Sequence, residues 1–303
     1  MSPLLDALRA LAEPTRLRLL AICAHAELTV TELTRVLGQS QPRVSRHLKL
    51  LCDAGVLERF REQTFAYFRM ARQRPGRDIA QAILKLVPED DSLFLLDRSR
   101  VDEELQNRAR EADAIMQQLE RELATARKEQ PPIKDIESAV NQILGTSALG
   151  ELLEIGTGTG GMLQYLAKRA THAVGIDISP QMLRVARAQI QQAGIADHVA
   201  VRLGDMHHLH FPNQSFDTIC LDRVLIHADE PTEVIGEISR LLRPHGRVVI
   251  IERLGENGMD PVALRAWFNE RSVQIGEART VQGPRIDLWV ACGNKQQTSA
   301  GVA

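Results

Sequence analysis

Cysteine is scarce and scattered. The chain of 303 residues has four, Cys23, Cys52, Cys220 and Cys292, and no two form a CxxC pair. That spacing argues against a disulfide framework and a cysteine zinc site and fits a reducing compartment. No apolar run approaches the roughly 20 residues that span a bilayer, and no signal-peptide pattern opens the chain. Net charge is −2, so no global field draws the chain to nucleic acid and any basic surface has to be local. These absences predict a soluble cytoplasmic protein with no membrane partner. What is present is 44% apolar residues, enough for a sizeable core, on a length that suits two domains.

The most informative stretch is Leu152-Leu153-Glu154-Ile155-Gly156-Thr157-Gly158-Thr159-Gly160-Gly161. It reads as a short buried strand that breaks into a glycine-rich turn and re-enters a helix. Gly156 permits the tight turn, Gly158 lets a ligand approach the backbone, and Gly160 opens a helix whose free amides favour an electron-rich group. Ala173-Val174-Gly175-Ile176-Asp177 follows as the next parallel strand, with Asp177 placed for ribose hydroxyls. Gly156, Gly158 and Gly161 also satisfy G-x-G-x-x-G, so the turn alone leaves a nicotinamide cofactor open. Glu154 suits the ammonium of an amino-acid moiety. Leu203-Gly204-Asp205-Met206 ends a third strand with an acid suited to the adenine amine and an apolar neighbour.

With Ser215-Phe216-Asp217-Thr218-Ile219-Cys220-Leu221 and Leu241-Leu242-Arg243-Pro244-His245-Gly246-Arg247, these stretches resemble the class I S-adenosylmethionine-dependent methyltransferases over about half of the chain. The resemblance implies Glu154, Gly156, Gly158, Gly160, Asp177, Ile178, Asp205 and Met206 around S-adenosylmethionine or S-adenosylhomocysteine. No catalytic residue is assigned. After the fourth strand stands Asp222-Arg223-Val224-Leu225-Ile226-His227, without Asn-Pro-Pro-Tyr, and His227 falls one place after the histidine of small-molecule members. His207, His208 and His210 look metal-like, but adjacent side chains on a loop diverge.

The first 74 residues carry short helical patterns. Leu4, Leu5, Leu8 and Leu11 have helical spacing, Pro14 restarts the helix, and Leu17, Leu20, Ala21 and Ala24 continue it. Thr29 or Thr31 can cap a third helix that Gly38 stops. Ser40-Gln41-Pro42 starts a fourth, with Val44, Leu48 and Leu51 in one stripe. Ser45, Arg46 and Lys49 lie opposite, with Arg43 at the margin. A helix, a glycine turn and a second helix with an outward basic and hydroxyl face predict a helix-turn-helix. Runs at 56–61 and 65–70 flank a polar turn and predict a hairpin. Residues 41–74 hold eight Arg or Lys against three Asp or Glu, so the local charge is positive although the chain's is not.

Leu8-Arg9-Ala10-Leu11-Ala12-Glu13-Pro14-Thr15-Arg16-Leu17-Arg18-Leu19-Leu20 and Ser40-Gln41-Pro42-Arg43-Val44-Ser45-Arg46-His47-Leu48-Lys49-Leu50-Leu51 resemble the bacterial ArsR-type winged-helix repressors. The resemblance implies double-stranded DNA with a palindromic operator as partner. Ser40, Gln41, Arg43, Ser45 and Arg46 would face the major groove, Lys49 a phosphate, and Arg61 and Thr64 the flanking backbone or minor groove. His47 turns toward the core side of its helix and reads as a packing or hydrogen-bonding residue. Metal sensors of that family often carry Glu-Leu-Cys-Val-Cys-Asp-Leu where this chain has Glu27-Leu28-Thr29-Val30-Thr31-Glu32-Leu33. Threonine is a poor ligand for soft metals, and the helix expected over Asp78–Val87 has no histidine, so no metal is expected. Cys23 and Cys52 read as core.

Between the two resemblances lies a connector at 75–130. It opens with an amphipathic helix (Ile79, Ala82, Ile83, Leu86) and a break at Pro88, and Arg100 to Lys128 holds no Gly or Pro. Leu105, Ala109, Ala112, Met116, Leu119, Leu123 and Ala126 form a narrow seam that wants a partner, its twin in a homodimer or the neighbouring domain. Palindromic reading favours the twin.

The predicted fold has two domains. An N-terminal, mostly α winged helix-turn-helix (1–74) leads through the helical connector (75–130) to a C-terminal α/β Rossmann-like doubly wound sheet with a final antiparallel hairpin (131–294). Residues 295–303 read as a disordered tail. The predicted function is a DNA-binding transcriptional regulator whose methyltransferase-like domain binds S-adenosylmethionine or S-adenosylhomocysteine, a small-molecule ligand, as its signal. The alternative is an active small-molecule methyltransferase with an attached winged helix.

Overall fold

The structure, a computed structural model, describes residues 3–62, 65–88, 90–255 and 258–296, with side chains at all of these except 61, 62, 65, 120, 123 and 125–127. The chain divides into two compact units, Met1–Arg108 and Ala109–Ala303.

The first unit opens with helices α1 (Pro3–Leu11) and α2 (Pro14–His25), followed by β1 (Leu28–Thr29), α3 (Val30–Leu37) and α4 (Gln41–Asp53). Strands β2 (Leu57–Glu62) and β3 (Phe65–Met70) and helix α5 (Gly76–Leu84) complete it, together with the start of α6 (Ser92–Glu129). Of the four leucines of α1 only Leu11 faces inward, although their spacing suggests that all do. Leu4, Leu5 and Leu8 are about half exposed, whereas Ala7 and Leu11 are buried. The small Ala7 lets α1 sit close on its neighbours. The α2 stripe is also displaced: Thr15, Leu19, Leu20, Ile22 and Cys23 are buried and Ala24 is exposed. This helix packs against α4, α5 and β3 at once, so its covered face is wider than one stripe.

Thr29 caps α3. Its Oγ1 accepts the Glu32 amide at 3.3 Å, and its own amide donates to Glu32 Oε2 at 2.7 Å, a reciprocal capping box. Gly38, at φ 64°, ends the helix in the left-handed conformation that glycine favours. Ser40 stands at the N-cap of α4, and Val44, Leu48 and Leu51 are buried as the spacing requires. The predicted hairpin is β2 paired antiparallel with β3, and β1 adds a third strand on β3.

The second unit contains the end of α6 and then α7 (Ile133–Leu144), β4 (Gly150–Ile155), α8 (Gly161–Ala167), β5 (Ala170–Asp177), α9 (Pro180–Gln192) and β6 (Val199–Leu203). After these come β7 (Phe216–Asp222), α10 (Pro231–Leu241), β8 (Leu242–Arg253), α11 (Pro261–Glu270), β9 (Val273–Val281) and β10 (Leu288–Lys295). The sheet order is β6-β5-β4-β7-β8-β10-β9, parallel from β6 to β8, with β10 antiparallel to both its neighbours. Strand alternation explains the two-sided core. Val249 and Ile251 of β8 face the layer of α7, α8 and α9, while Val248 and Ile250 face α10 and α11. Helices α7 and α11 are additions to the pattern read from sequence. Lys295 belongs to β10 and donates to the carbonyls of Ser239 (2.5 Å) and Leu242 (3.0 Å), so the fold extends past the expected tail boundary. The rest of that tail, 297–303, lies outside the described residues.

The long connector helix starts earlier than expected, at Ser92, and the division between units falls inside it. Val101 and Leu105 pack into the first unit's core. In the second unit, Ala112 is buried against Val185 and Ala188 of α9, with Ile115 and Met116 beside it. This part of the seam is covered by its own chain rather than left open for a twin. The positions Leu123 and Ala126 have side chains outside the described set.

Candidate functional site

Parallel strands align their C-terminal ends, and the sheet order reverses between β4 and β7, which is where such sheets bind ligands. The glycine turn leaves β4 at that edge. Gly156 has φ 74°, and a Cβ there would meet Val224 Cγ2 at 2.6 Å, so both conformation and space require glycine. The Thr157 amide donates to the Ile176 carbonyl at 2.8 Å, which pins the turn to β5. Asp177 ends β5 and grips two amides, that of Gly158 with Oδ2 and that of Ser179 with Oδ1, each at 2.8 Å. Gly160 is the N-cap of α8. Ile178 is exposed and Met206 packs at the margin of the core. The structure therefore assembles Gly156, Gly158, Gly160 and Asp177 tightly. Asp205 follows β6 at the same edge, since β6 lies beside β5.

The other two predicted ligand carboxylates also have local partners. Asp205 Oδ1 accepts both the amide and Nδ1 of His207 at 3.0 Å, and those bonds hold its carboxyl below the usual range while its side chain stays half exposed. Glu154 is 1% exposed and accepts from the Thr157 hydroxyl. Its burial pushes its pKa well above the usual carboxylate value. Glu154 thus supports the turn from beneath. His208 and His210 are exposed while His207 is half-buried, and no group of three or more potential ligands is placed to hold a metal among the described residues. His227 is exposed on a single 3₁₀ turn, Leu225–His227.

A polar cluster beyond β7 escaped the sequence reading. Arg223 sits at φ 55°, with its amide on the Ile251 carbonyl at 2.7 Å. Its guanidinium forks onto Asp222 at 2.7 and 2.9 Å and reaches Gln130 Oε1 at 2.6 Å. Beside it Glu252 is fully buried. Its Oε1 accepts the Leu225 amide at 2.7 Å, while Oε2 has no hydrogen-bond partner among the described residues. An acid ending the apolar run Val248–Ile251 is the same signal that singled out Asp177. Burial, reinforced by Asp222, raises Glu252 to about 7. Between its ordinary value of 4.5 and about 7 the folded protein keeps a proton that the unfolded chain has released, so stability falls as pH rises through that window. At pH 8 the deprotonated carboxylate is expected to cost ~3 kcal/mol. Glu252→Gln keeps an acceptor for Leu225 and removes the charge. Urea melts followed by Trp267 and Trp289, both in the second unit, should show its advantage over wild type growing by about 2.5 kcal/mol between pH 5 and pH 8. An advantage independent of pH contradicts the assignment.

In the first unit Ser40, Gln41, Arg43, Ser45, Arg46 and Lys49 are all exposed on α4 or at its cap. His47 is half-buried, with Nδ1 3.6 Å from Glu13. Arg61 lies on β2, where it pairs with Ala66, and Thr64 lies outside the described residues. Part of the local positive charge is paired with carboxylates of the same unit. Arg69 is buried between Glu27 (2.8 Å) and Glu58, Arg72 reaches Glu27 at 3.5 Å, and Arg74 pairs with Asp78 at 3.2 Å. Cys23 is buried, and burial raises the Cys52 thiol to about 11, which makes a reactive thiol pair unfavourable.

Residues 13–59 match the model of bacterial regulatory proteins of the arsR family, and residues 153–250 match a methyltransferase domain. The chain is 33% identical over 149 residues to phosphatidylethanolamine N-methyltransferase of Cereibacter sphaeroides, covering 46% of this chain and 71% of that protein. It is 34% identical over 121 residues to methyltransferase GfsG of Streptomyces halstedii, covering 40% of this chain and 44% of GfsG, under half of that relative's length. Among solved structures, N-methyltransferase NodS from Bradyrhizobium japonicum WM9, in complex with S-adenosyl-L-homocysteine, shares the fold with TM-score 0.51 and 20% identity. That match covers 60% of this chain and 99% of NodS. The chain belongs, through its second unit, to the class I S-adenosylmethionine-dependent methyltransferases, and its first unit contains an arsR-family helix-turn-helix at residues 13–59.

Proposed function

We propose that this protein is a homodimeric, cytoplasmic transcriptional regulator whose methyltransferase domain binds S-adenosylmethionine or S-adenosylhomocysteine as its signal. The observation that carries the proposal is Asp177. It ends β5 beside the glycine turn and already holds the Gly158 amide and the first turn of α9. A ribose bound by this carboxylate acts on both. Asp205 serves the adenine amine, and the amides of the Gly156–Gly160 turn serve the amino-acid end of the ligand. On the other unit, the exposed hydroxyl and basic face of α4 reads a palindromic operator. A second copy suits the exposed leucines of this unit: Leu4, Leu5 and Leu8 on α1, Leu86 after α5, and Leu93, Leu95 and Leu96 on α6.

The test is the affinity of the full chain for a palindromic duplex selected from a random-sequence pool, titrated with each nucleoside. Saturating ligand is expected to shift the dissociation constant on the order of tenfold. Arg46→Ala should weaken binding with and without ligand. Equal affinity in all ligand states removes the sensor reading.

The cluster of Asp222, Arg223 and Glu252 favours a second reading, an active small-molecule methyltransferase. Methyl transfer needs an acceptor aligned with the sulfonium methyl, and buried charged groups at the same strand edge suit acceptor positioning. Release of labelled methyl groups to an acceptor from a broad small-molecule mixture supports it, and Glu252→Gln should then slow turnover more than it weakens nucleoside binding.

A further inference from the structure

Helix α6 does more than connect. In the first unit its Arg108 reaches three parts of the DNA-reading domain. Arg108 Nε donates to Glu32 Oε1 at 2.6 Å, Nη2 donates to Glu32 Oε2, and Nη1 donates to the Glu27 carbonyl at 3.0 Å. Its guanidinium carbon lies 5.8 Å from the centroid of the Tyr67 ring. Glu32 is the N3 residue that closes the capping box of α3, and Tyr67 lies in the wing strand β3. One arginine therefore fixes both the start of the first helix of the helix-turn-helix and the base of the wing. Burial disfavours charge on Glu32, yet the Arg108 fork and the Thr29 bonds outweigh it and hold the carboxyl below its ordinary value, so the pair stays ionised.

In the second unit, Ala112 stands one helical turn further along α6 and is buried against Val185 and Ala188 of α9. Helix α9 also serves the nucleoside pocket. Ser179 is its N-cap, held through its amide by Asp177, and Ala186 faces the turn so closely that a Cβ on Gly160 would stand 3.1 Å from it. A ligand that engages Asp177 or settles in the glycine turn bears on α9, and α9 bears on α6. Neither Gly nor Pro interrupts α6, which carries both Ala112 and Arg108.

We propose that Arg108 is the positioning residue through which an S-adenosyl nucleoside controls DNA reading, by changing the clasp on Glu32 and with it the setting of α3 and the wing. This rests on the regulator reading above and names its point of action. It invokes one element with two settings that both sites bias, which is what reciprocal coupling requires.

The double variant Glu32→Gln/Arg108→Gln removes the charged clasp without leaving a lone buried charge, and glutamine at N3 keeps the cap. The full-chain wild type, this variant and Arg108→Lys are compared for duplex affinity with and without S-adenosylhomocysteine and S-adenosylmethionine, nucleoside affinity by calorimetry, and helicity by circular dichroism. In the wild type the larger of the two ligand-dependent changes in duplex affinity is expected to be on the order of tenfold. In the double variant that ratio is expected to fall below about twofold while nucleoside affinity and helicity hold, with Arg108→Lys between. A wild-type ratio retained in the double variant overturns the proposal. So does an equal loss of duplex affinity in both ligand states, which marks a purely structural role. A wild-type ratio of one with both nucleosides overturns the regulator reading itself.

Discussion

Asp177→Ala is expected to weaken binding of both S-adenosyl nucleosides on the order of 10²-fold in calorimetry. A hydrogen bond to a charged group contributes about 1.5–3 kcal/mol, and a carboxylate gripping two ribose hydroxyls supplies two. The substitution also frees the Gly158 and Ser179 amides that Asp177 now holds, so the turn and the start of α9 lose their shared anchor. Asp177→Asn keeps one acceptor oxygen and should fall between. Wild-type nucleoside affinity in Asp177→Ala would mean that the ribose lies elsewhere. Asp205 is half exposed and its replacement should cost less, since solvent competes for every bond it makes.

Arg18→Ala should be the most damaging single change in the DNA-reading unit, with a loss of about 3–5 kcal/mol. Asp97, on the first turns of α6, is 2% exposed, and both of its oxygens are taken by the Arg18 fork at 2.6 Å. Truncating the arginine leaves that carboxylate buried with its counter-ion gone, and desolvation then acts unopposed. The paired change Arg18→Met/Asp97→Leu removes both charges and should recover most of the loss. The measurement has an internal control, because both tryptophans, Trp267 and Trp289, lie in the second unit. Thermal unfolding followed by far-ultraviolet circular dichroism should show an early transition for Arg18→Ala that tryptophan fluorescence does not report. A variant that melts like wild type by both signals would mean that water or a neighbouring group stabilises Asp97 in place of Arg18.

Local signals were legible where the chemistry is local. The cap of α3, read as Thr29 or Thr31 and found at Thr29, the glycine stop at Gly38, the buried stripe of α4 and the strand–turn–helix at 152–161 each depend on residues within a few positions of one another. Periodicity failed on α1 and α2 because it assumes one covered face. The first helix presents Leu4, Leu5 and Leu8 to solvent, and the second is covered on several sides. Glu252 was passed over because its significance comes from β8 lying beside β7, with the 3₁₀ turn seated over its carboxylate. The basic excess over 41–74 overstated the DNA-facing charge, since Arg69 pairs with Glu27 and Glu58 across the base of the wing.

By itself the sequence determined the two-part architecture, the strand edge at which the glycine turn lies and the outward face of α4. Each follows from short-range periodicity, turn chemistry and capping, which act before distant segments meet. Only the tertiary structure decided the rest. It turned Glu154 inward onto Thr157, set Glu252 next to Arg223, clasped Glu32 with Arg108 and covered Ala112 of the connector seam with α9. These outcomes depend on desolvation and on charge pairing between residues many positions apart, and neither exists until the chain has folded.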